Sequence, residues 1–184
     1  MRVLGIDPGL SNTGYGVIDS TGRGYAAVEG GVITTPTKSP LEERLLTIFQ
    51  DVRDVIGATR PEAMAVEDLH SRYPMQKTAI LMGHARGVVC MAAAEAGIPV
   101  FDYQPTRAKN VVTGFGRASK EQVRRAVAAH LDEPDAARNE HVADAFAIAI
   151  CHAIMADSKA VAAIAEVDKG AGRGRRKIAA AIKA

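Results

Sequence analysis

Residues 2–20, RVLGIDPGLSNTGYGVIDS, decide how the rest of the chain is read. A run of strand-forming residues (Val3, Leu4, Ile6) ends on an acid, Asp7, and Pro8-Gly9 turns the chain at once into a second strand-like run from Thr13. Burying a lone charge costs on the order of several kcal/mol or more unless it is paired or bound to a metal. A strand that closes on a carboxylate therefore has two explanations. Either Asp7 organises the turn that follows it, as Asp often does, or it is held at the rim of a sheet to grip a ligand.

Residues 2–7, 13–19 and 25–34 read as three successive strands, the first two joined by PGLSN. Residues 39–61 come next, with Leu41, Leu45, Ile48, Phe49, Val52, Val55 and Ile56 on one helical face. Ser39 with Glu42 has the spacing of a capping box, and Pro40 sits where a first helical residue is favoured. Residues 62–68 (EAMAVED) read as a short buried strand, 75–97 as a helix ending at Gly97, and 98–103 as a strand. A short helix is expected over 105–113, a helix capped by Ser119 and Gln122 through Leu131, and a last one from about Asn139 to Ala156. Strands first, then helix and strand in alternation, then helices: the class is α/β with a mixed sheet. Residues 1–156 form the expected domain and 157–184 a basic, flexible tail.

Composition bounds the function classes. A chain of 184 residues, 24% charged and 47% apolar, resembles an ordinary globular protein with a sizeable core. No uninterrupted apolar run exceeds seven residues, far short of a membrane span, and no signal-peptide pattern precedes the first strand. Cys90 and Cys151 stand apart in apolar helical stretches and read as small buried hydrophobes in a reducing compartment, so the cytoplasm is the expected home. From Asp157 onward seven Lys or Arg face three acids. Such a tail either touches phosphates or simply aids solubility.

Two further acids share the odd placement of Asp7. Glu67 closes a second apolar strand, and Asp144 lies one turn after His141 on the last helix, so that His141 and Asp144 share a face. Each has a structural reading: Glu67 as a strand end, Asp144 as a charge suited to a helix N-terminus, His141 as a satisfied core histidine. As a set they point elsewhere. Parallel neighbouring strands that end on acids bring them to one sheet edge, where α/β proteins place their sites. Carboxylates gathered there hold protons unless a cation is bound, and hard oxygen donors suit Mg²⁺ or Mn²⁺ rather than zinc. Carboxylates that share two such ions form a two-metal site for attack of water on a phosphodiester.

The motifs GIDPGLSNTGYGV, AVED, GHARGV, TGFGRASKEQV and HVADAFAIAICHA, in this order and spacing, resemble the RuvC Holliday-junction resolvases over residues 1 to about 155. The resemblance implies an RNase H-like fold, a five-stranded mixed sheet flanked by helices on both faces. It also implies a homodimer that cuts two strands of like polarity at a four-way DNA junction with Mg²⁺, working beside the RuvA–RuvB branch-migration complex. The family's acidic site falls on Asp7, Glu67, His141 and Asp144. Many members carry Asp where this chain has His141. Lys109 and Lys120 match family positions linked to DNA. Lys120 also opens a helix, where a positive charge opposes the dipole and suggests an outside anion. In the stretch LHSRYPMQK (69–77), His70 occupies the place of an aromatic wedge in the family, with Tyr73 three residues on, and either ring could stack on a base. Gly9 and Gly14 are expected to keep the turn and second strand slim where backbone and DNA approach. Two rivals share part of the pattern. A YqgF-type nuclease acting on RNA should lack GHARGV and TGFGRASKEQV, and an actin-like ATPase or sugar kinase needs a second hairpin and an adenosine motif.

Overall fold

The computed structural model describes residues 1–68 and 76–158. Backbone packing divides the chain into Met1–Ala153 and Ile154–Ala184. The first unit contains the sheet; in the second, residues 154–158 are helical. His70, Tyr73 and nearly all of the basic tail lie outside the described residues.

Five strands form one sheet: β1 (Arg2–Asp7), β2 (Asn12–Thr21), β3 (Gly24–Thr34), β4 (Ala63–Glu67) and β5 (Val100–Tyr103). Their order is β3-β2-β1-β4-β5. The β1–β2 and β2–β3 pairs are antiparallel, while β1–β4 and β4–β5 are parallel. Helices α1 (Leu41–Thr59), α2 (Gln76–Glu95), α3 (Pro105–Thr113) and α4 (Lys120–Leu131) fill the connections. The last helix, α5, begins at residue 140 and runs to the end of this unit. This is the mixed five-stranded α/β fold that the sequence predicts.

Strand alternation sorts the two faces. Leu4, Ile6, Val17, Met64 and Val66 join Ile48, Val52 and Ile56 of α1 and Ala85, Val89 and Ala92 of α2 in one core. The apolar stripe predicted for α1 is the stripe that is buried. The opposite face holds Gly5, Gly14 and Gly16, and it belongs to α5.

A row of small residues crosses the sheet on that face: Gly30 pairs with Gly16, Gly16 with Gly5, and Gly5 with Ala65. A Cβ on Gly5 would lie 2.1 Å from the carbonyl oxygen of Ala145, and one on Gly16 would lie 2.7 Å from the Phe146 ring. Real Cβ atoms do not come so close, so the row is a trough that lets α5 lie directly on the backbone of the sheet. The ring of Phe146 spans Gly16 and Gly30. The helix lies deep because its own residues there are small as well, with Ala145 and Ala149 fully buried.

At Gly14 the backbone that approaches is that of α5: a Cβ there would lie 2.2 Å from the carbonyl oxygen of His141. One local expectation is corrected. The Ser39–Glu42 capping box does not form. Pro40, with ψ 149°, is the N-cap of α1 and has no side-chain cap, which leaves Ser39 one residue outside the helix. The Ser119–Gln122 box of α4 does form, with both reciprocal hydrogen bonds, at 2.8 and 3.2 Å. Cys90 and Cys151 are both free thiols. No helix among the described residues is long and apolar enough to cross a membrane.

Candidate active site

Asp7 and Glu67 end the two central parallel strands. Ile6 pairs with Val66, so the next residue on each strand is an acid. By alternation both lie on the face of Gly5 and Ala65, the face covered by α5. Asp7 pairs across β1–β2 with Gly14, where the helix passes. The first turn of α5 thereby comes down over the strand ends and brings His141 and Asp144 to them. Asn139 fixes where that turn starts. Its Oδ1 accepts the backbone N–H of His141 at 2.9 Å and of Val142 at 3.4 Å. This is an N-cap, and the Asn placed just before the helix was its signal in the sequence.

The electrostatics match a crowded acidic site. His141 Nδ1 lies 3.0 Å from Asp7 Oδ2. Burial raises the Asp7 carboxyl above the ordinary carboxylate range, opposed by the hydrogen bond and charge of His141 and by Lys120. Burial, followed by the charges of Asp7 and Asp144, pushes Glu67 up to about 8, with Lys109 pulling the other way. Asp144 is raised by burial and then by Asp7, while Lys109, Lys120 and His141 oppose the shift. Three carboxyls on one sheet edge thus resist ionisation together, and the cations nearest them reduce the cost without removing it.

Lys109 stands with Glu67 and Asp144 around a small cavity of about 80 Å³. It reaches the acids because Pro105 starts α3 directly after β5, whose Tyr103 pairs with Glu67. Lys120 opens α4 as expected, but its ammonium is already paired with Glu140 of α5. The anion foreseen from its unfavourable place on the helix dipole is supplied, in this structure, by the chain itself. Of the eight candidate positions, the fold therefore gathers Asp7, Glu67, His141, Asp144, Lys109 and Lys120 at one end of the sheet. His70 and Tyr73 fall in the segment outside the described residues. Among the described residues no three His, Cys, Asp or Glu side chains are grouped as metal ligands. Asp7 and His141 are instead turned to one another. The donor set nevertheless suits a hard divalent cation, because it is carboxylate-rich and short of positive charge.

The family profile described as "Crossover junction endodeoxyribonuclease RuvC" matches residues 3–152. A RuvC from Rhodopirellula baltica is 46% identical over 156 residues, covering 85% of this chain and 88% of its own. The solved RuvC of Thermus thermophilus superposes with a TM-score of 0.80 at 40% identity, covering 86% of this chain and 97% of that one. The same protein in complex with a Holliday junction substrate gives 0.79 at 37% identity, covering 86% and 96%. A yeast mitochondrial Holliday junction resolvase, with a TM-score of 0.58 at 12% identity, shares the fold. Since the profile takes in both acid-bearing strands and the helix that covers them, the chain belongs to the RuvC family of crossover junction endodeoxyribonucleases.

Proposed function

We propose that this protein resolves four-way DNA junctions by hydrolysing phosphodiesters at the Asp7–Glu67–Asp144 edge, with Mg²⁺ as cofactor. The observation that carries the reading is the convergence of three partly buried, mutually repelling carboxyls from β1, β4 and α5, with Lys109 and Lys120 acting on them. Such a cluster is costly for a fold to maintain unless a cation relieves it.

Asp7, Glu67, Asp144 and the imidazole of His141 would hold two divalent ions, with Mn²⁺ able to substitute for Mg²⁺ because imidazole suits it better. Bound there, the ions supply activation of water and stabilisation of the leaving oxygen. The chain's own residues do the rest. Fixed at the strand ends and on α5, the three carboxylates would set where those ions sit. Lys109 and Lys120 offset the negative charge of the scissile phosphate, Lys120 by exchanging Glu140 for it. Lys109 is partly buried, which keeps its charge poorly screened, whereas Lys120 is exposed. His141, hydrogen-bonded to Asp7, sets the orientation of that carboxylate.

A homodimer supplies the second cut. The outward side of α2 supports it: Ile80 and Met91 are 61% and 53% exposed, and the Cβ position of Gly87 opens onto free space. His70 and Tyr73 would meet bases near the junction centre, the basic tail 157–184 would lie outside the nuclease domain of residues 1–156, and a RuvA–RuvB-type complex would deliver the junction in the cytoplasm. The direct test is cleavage of a labelled, immobile four-way junction against a matched duplex, with and without Mg²⁺. Mg²⁺-dependent cutting of the junction alone supports the reading, and equal cutting of both substrates would sink it.

A further inference from the structure

His141 also lines a second cavity, of about 340 Å³, walled by the β1–β2 turn, the start of α1 and the start of α2. A single water occupies about 30 Å³ of liquid, so this space admits a much larger group. Its polar lining includes Ser11, Arg44 and Thr78, and its apolar lining is Leu10, Leu81 and Met82. No acid stands among the described residues that line it, whereas Glu67 and Asp144 line the small cavity beside Lys109.

Arg44 is held rigidly. Its Nε donates to Thr35 Oγ1 at 3.0 Å and its Nη2 to Ser11 Oγ at 2.9 Å. The turn is braced from the same side, since Thr35 N–H donates to the carbonyl of Ser11 at 3.0 Å and its hydroxyl to that of Leu10. These bonds engage two of the five N–H donors of a guanidinium. The planar fork is thereby oriented in advance, which is the condition under which Arg recognises phosphate well. The turn it clamps is the one that directly follows Asp7.

We propose that this cavity binds a sugar–phosphate unit of the strand being cut. Arg44, Ser11 and Thr78 would take a phosphate that flanks the scissile one, and Leu10, Leu81 and Met82 would pack against the deoxyribose. Resting on the reading of the Asp7 edge as a phosphodiester-cleaving centre, the assignment adds the element that sets which bond lies over the acids. His141 lines this cavity and its Nδ1 lies 3.0 Å from Asp7 Oδ2, so a strand gripped in the cavity continues past His141 to Asp7.

The experiment measures junction affinity without metal, on full-length protein, with single uncharged methylphosphonates walked across the phosphates on either side of the cut. Two variants are compared with wild type. Arg44→Gln removes the charge. Thr78→Glu leaves the Arg44 clamp intact and places a carboxylate in the cavity; it lies in the first turn of α2, where an acid favours the helix. Each variant is expected to bind the unmodified junction about tenfold more weakly, the scale of one charge-assisted contact. The salt dependence of Arg44→Gln should fall by about one phosphate's share. At one flanking position the methylphosphonate should weaken wild type to a similar degree and cost the variants nothing further. Wild-type affinity in a folded Thr78→Glu protein, or losses that are the same at every methylphosphonate position, would overturn the proposal. Mg²⁺-dependent junction cutting by wild type in the same preparations reports on the catalytic reading separately: if it persists while the coupling is absent, only the cavity assignment falls.

Discussion

Glu67→Gln separates an acid kept for a cation from one that supports the fold. Burial, then the charges of Asp7 and Asp144, raise its carboxyl from 4.5 to about 8. Between those values the folded protein retains a proton that the unfolded chain has released. Excess protons on the folded state make stability fall as pH rises. The penalty is absent below about pH 4.5, grows through neutrality and is complete above pH 8. At about 1.36 kcal/mol per pH unit the span sets a ceiling of about 5 kcal/mol. Water reaches part of this side chain, so about 2–3 kcal/mol is the working figure. For a unit of this size each kcal/mol moves Tm by roughly 2–4 °C, giving a difference of roughly 5–10 °C. Metal-free wild type should lose that much more Tm than Glu67→Gln between pH 5 and pH 8. Metal ligands must be deprotonated to bind, and a ligand stabilises the state that binds it. Mg²⁺ should therefore raise the wild-type Tm more at pH 8 than at pH 5, and raise that of the variant far less. Circular-dichroism melts at both pH values, in chelator and in Mg²⁺, measure all of this. A variant less stable than wild type at pH 8 without metal would reverse the conclusion, because Glu67 would then be a charge the fold already satisfies.

Asp7→Asn should keep junction affinity in gel shifts without metal, while single-turnover cleavage falls by more than the ~10²–10³ typical of losing one electrostatic contact; cutting within tenfold of wild type would remove Asp7 from the centre of the site. His141→Asp replaces the hydrogen-bond partner of Asp7 with a like charge, so the metal-free protein should melt lower at neutral pH than wild type. Its cleavage should persist and shift in preference from Mn²⁺ toward Mg²⁺, and complete inactivity of a folded variant with both ions would assign His141 a proton-transfer role instead. Gly14→Ala forces a Cβ against the His141 carbonyl. It should cost at least the ~1–3 kcal/mol of overpacking and displace the first turn of α5, lowering cleavage even where the protein remains folded; a melting temperature unchanged from wild type would show that α5 does not depend on this contact.

Much of the molecule is readable from local pattern alone. Short runs of strand-forming residues bounded by turn residues identify the five strands, and period-3.6 apolar spacing identifies the α1 stripe, because these signals are local in the chain. The Ser119 cap is legible for the same reason, since its partners are three residues apart. The acids announce themselves because a carboxylate at the end of an apolar strand conflicts with its surroundings, and such conflicts are expected where a site is built. Even there the sequence leaves the role of each acid open, because its alternatives are decided by neighbours far away in the chain.

Those neighbours are what tertiary structure supplied. The parallel pairing of β1 with β4 is long-range, and it puts Asp7 and Glu67 on one face and at one level. The row Gly30–Gly16–Gly5–Ala65 exists only once three pairings are in register, and only then does its purpose, a seat for Ala145 and Phe146, become visible. Lys120 read from sequence as a cation awaiting an anion, and its partner Glu140 lies on another helix. The clamp of Arg44 on Ser11 likewise joins residues far apart in the chain. A sequence states which groups are present and which face each prefers. The charges that meet, and hence the protons they hold, depend on distances set by the packing of α5 onto the sheet.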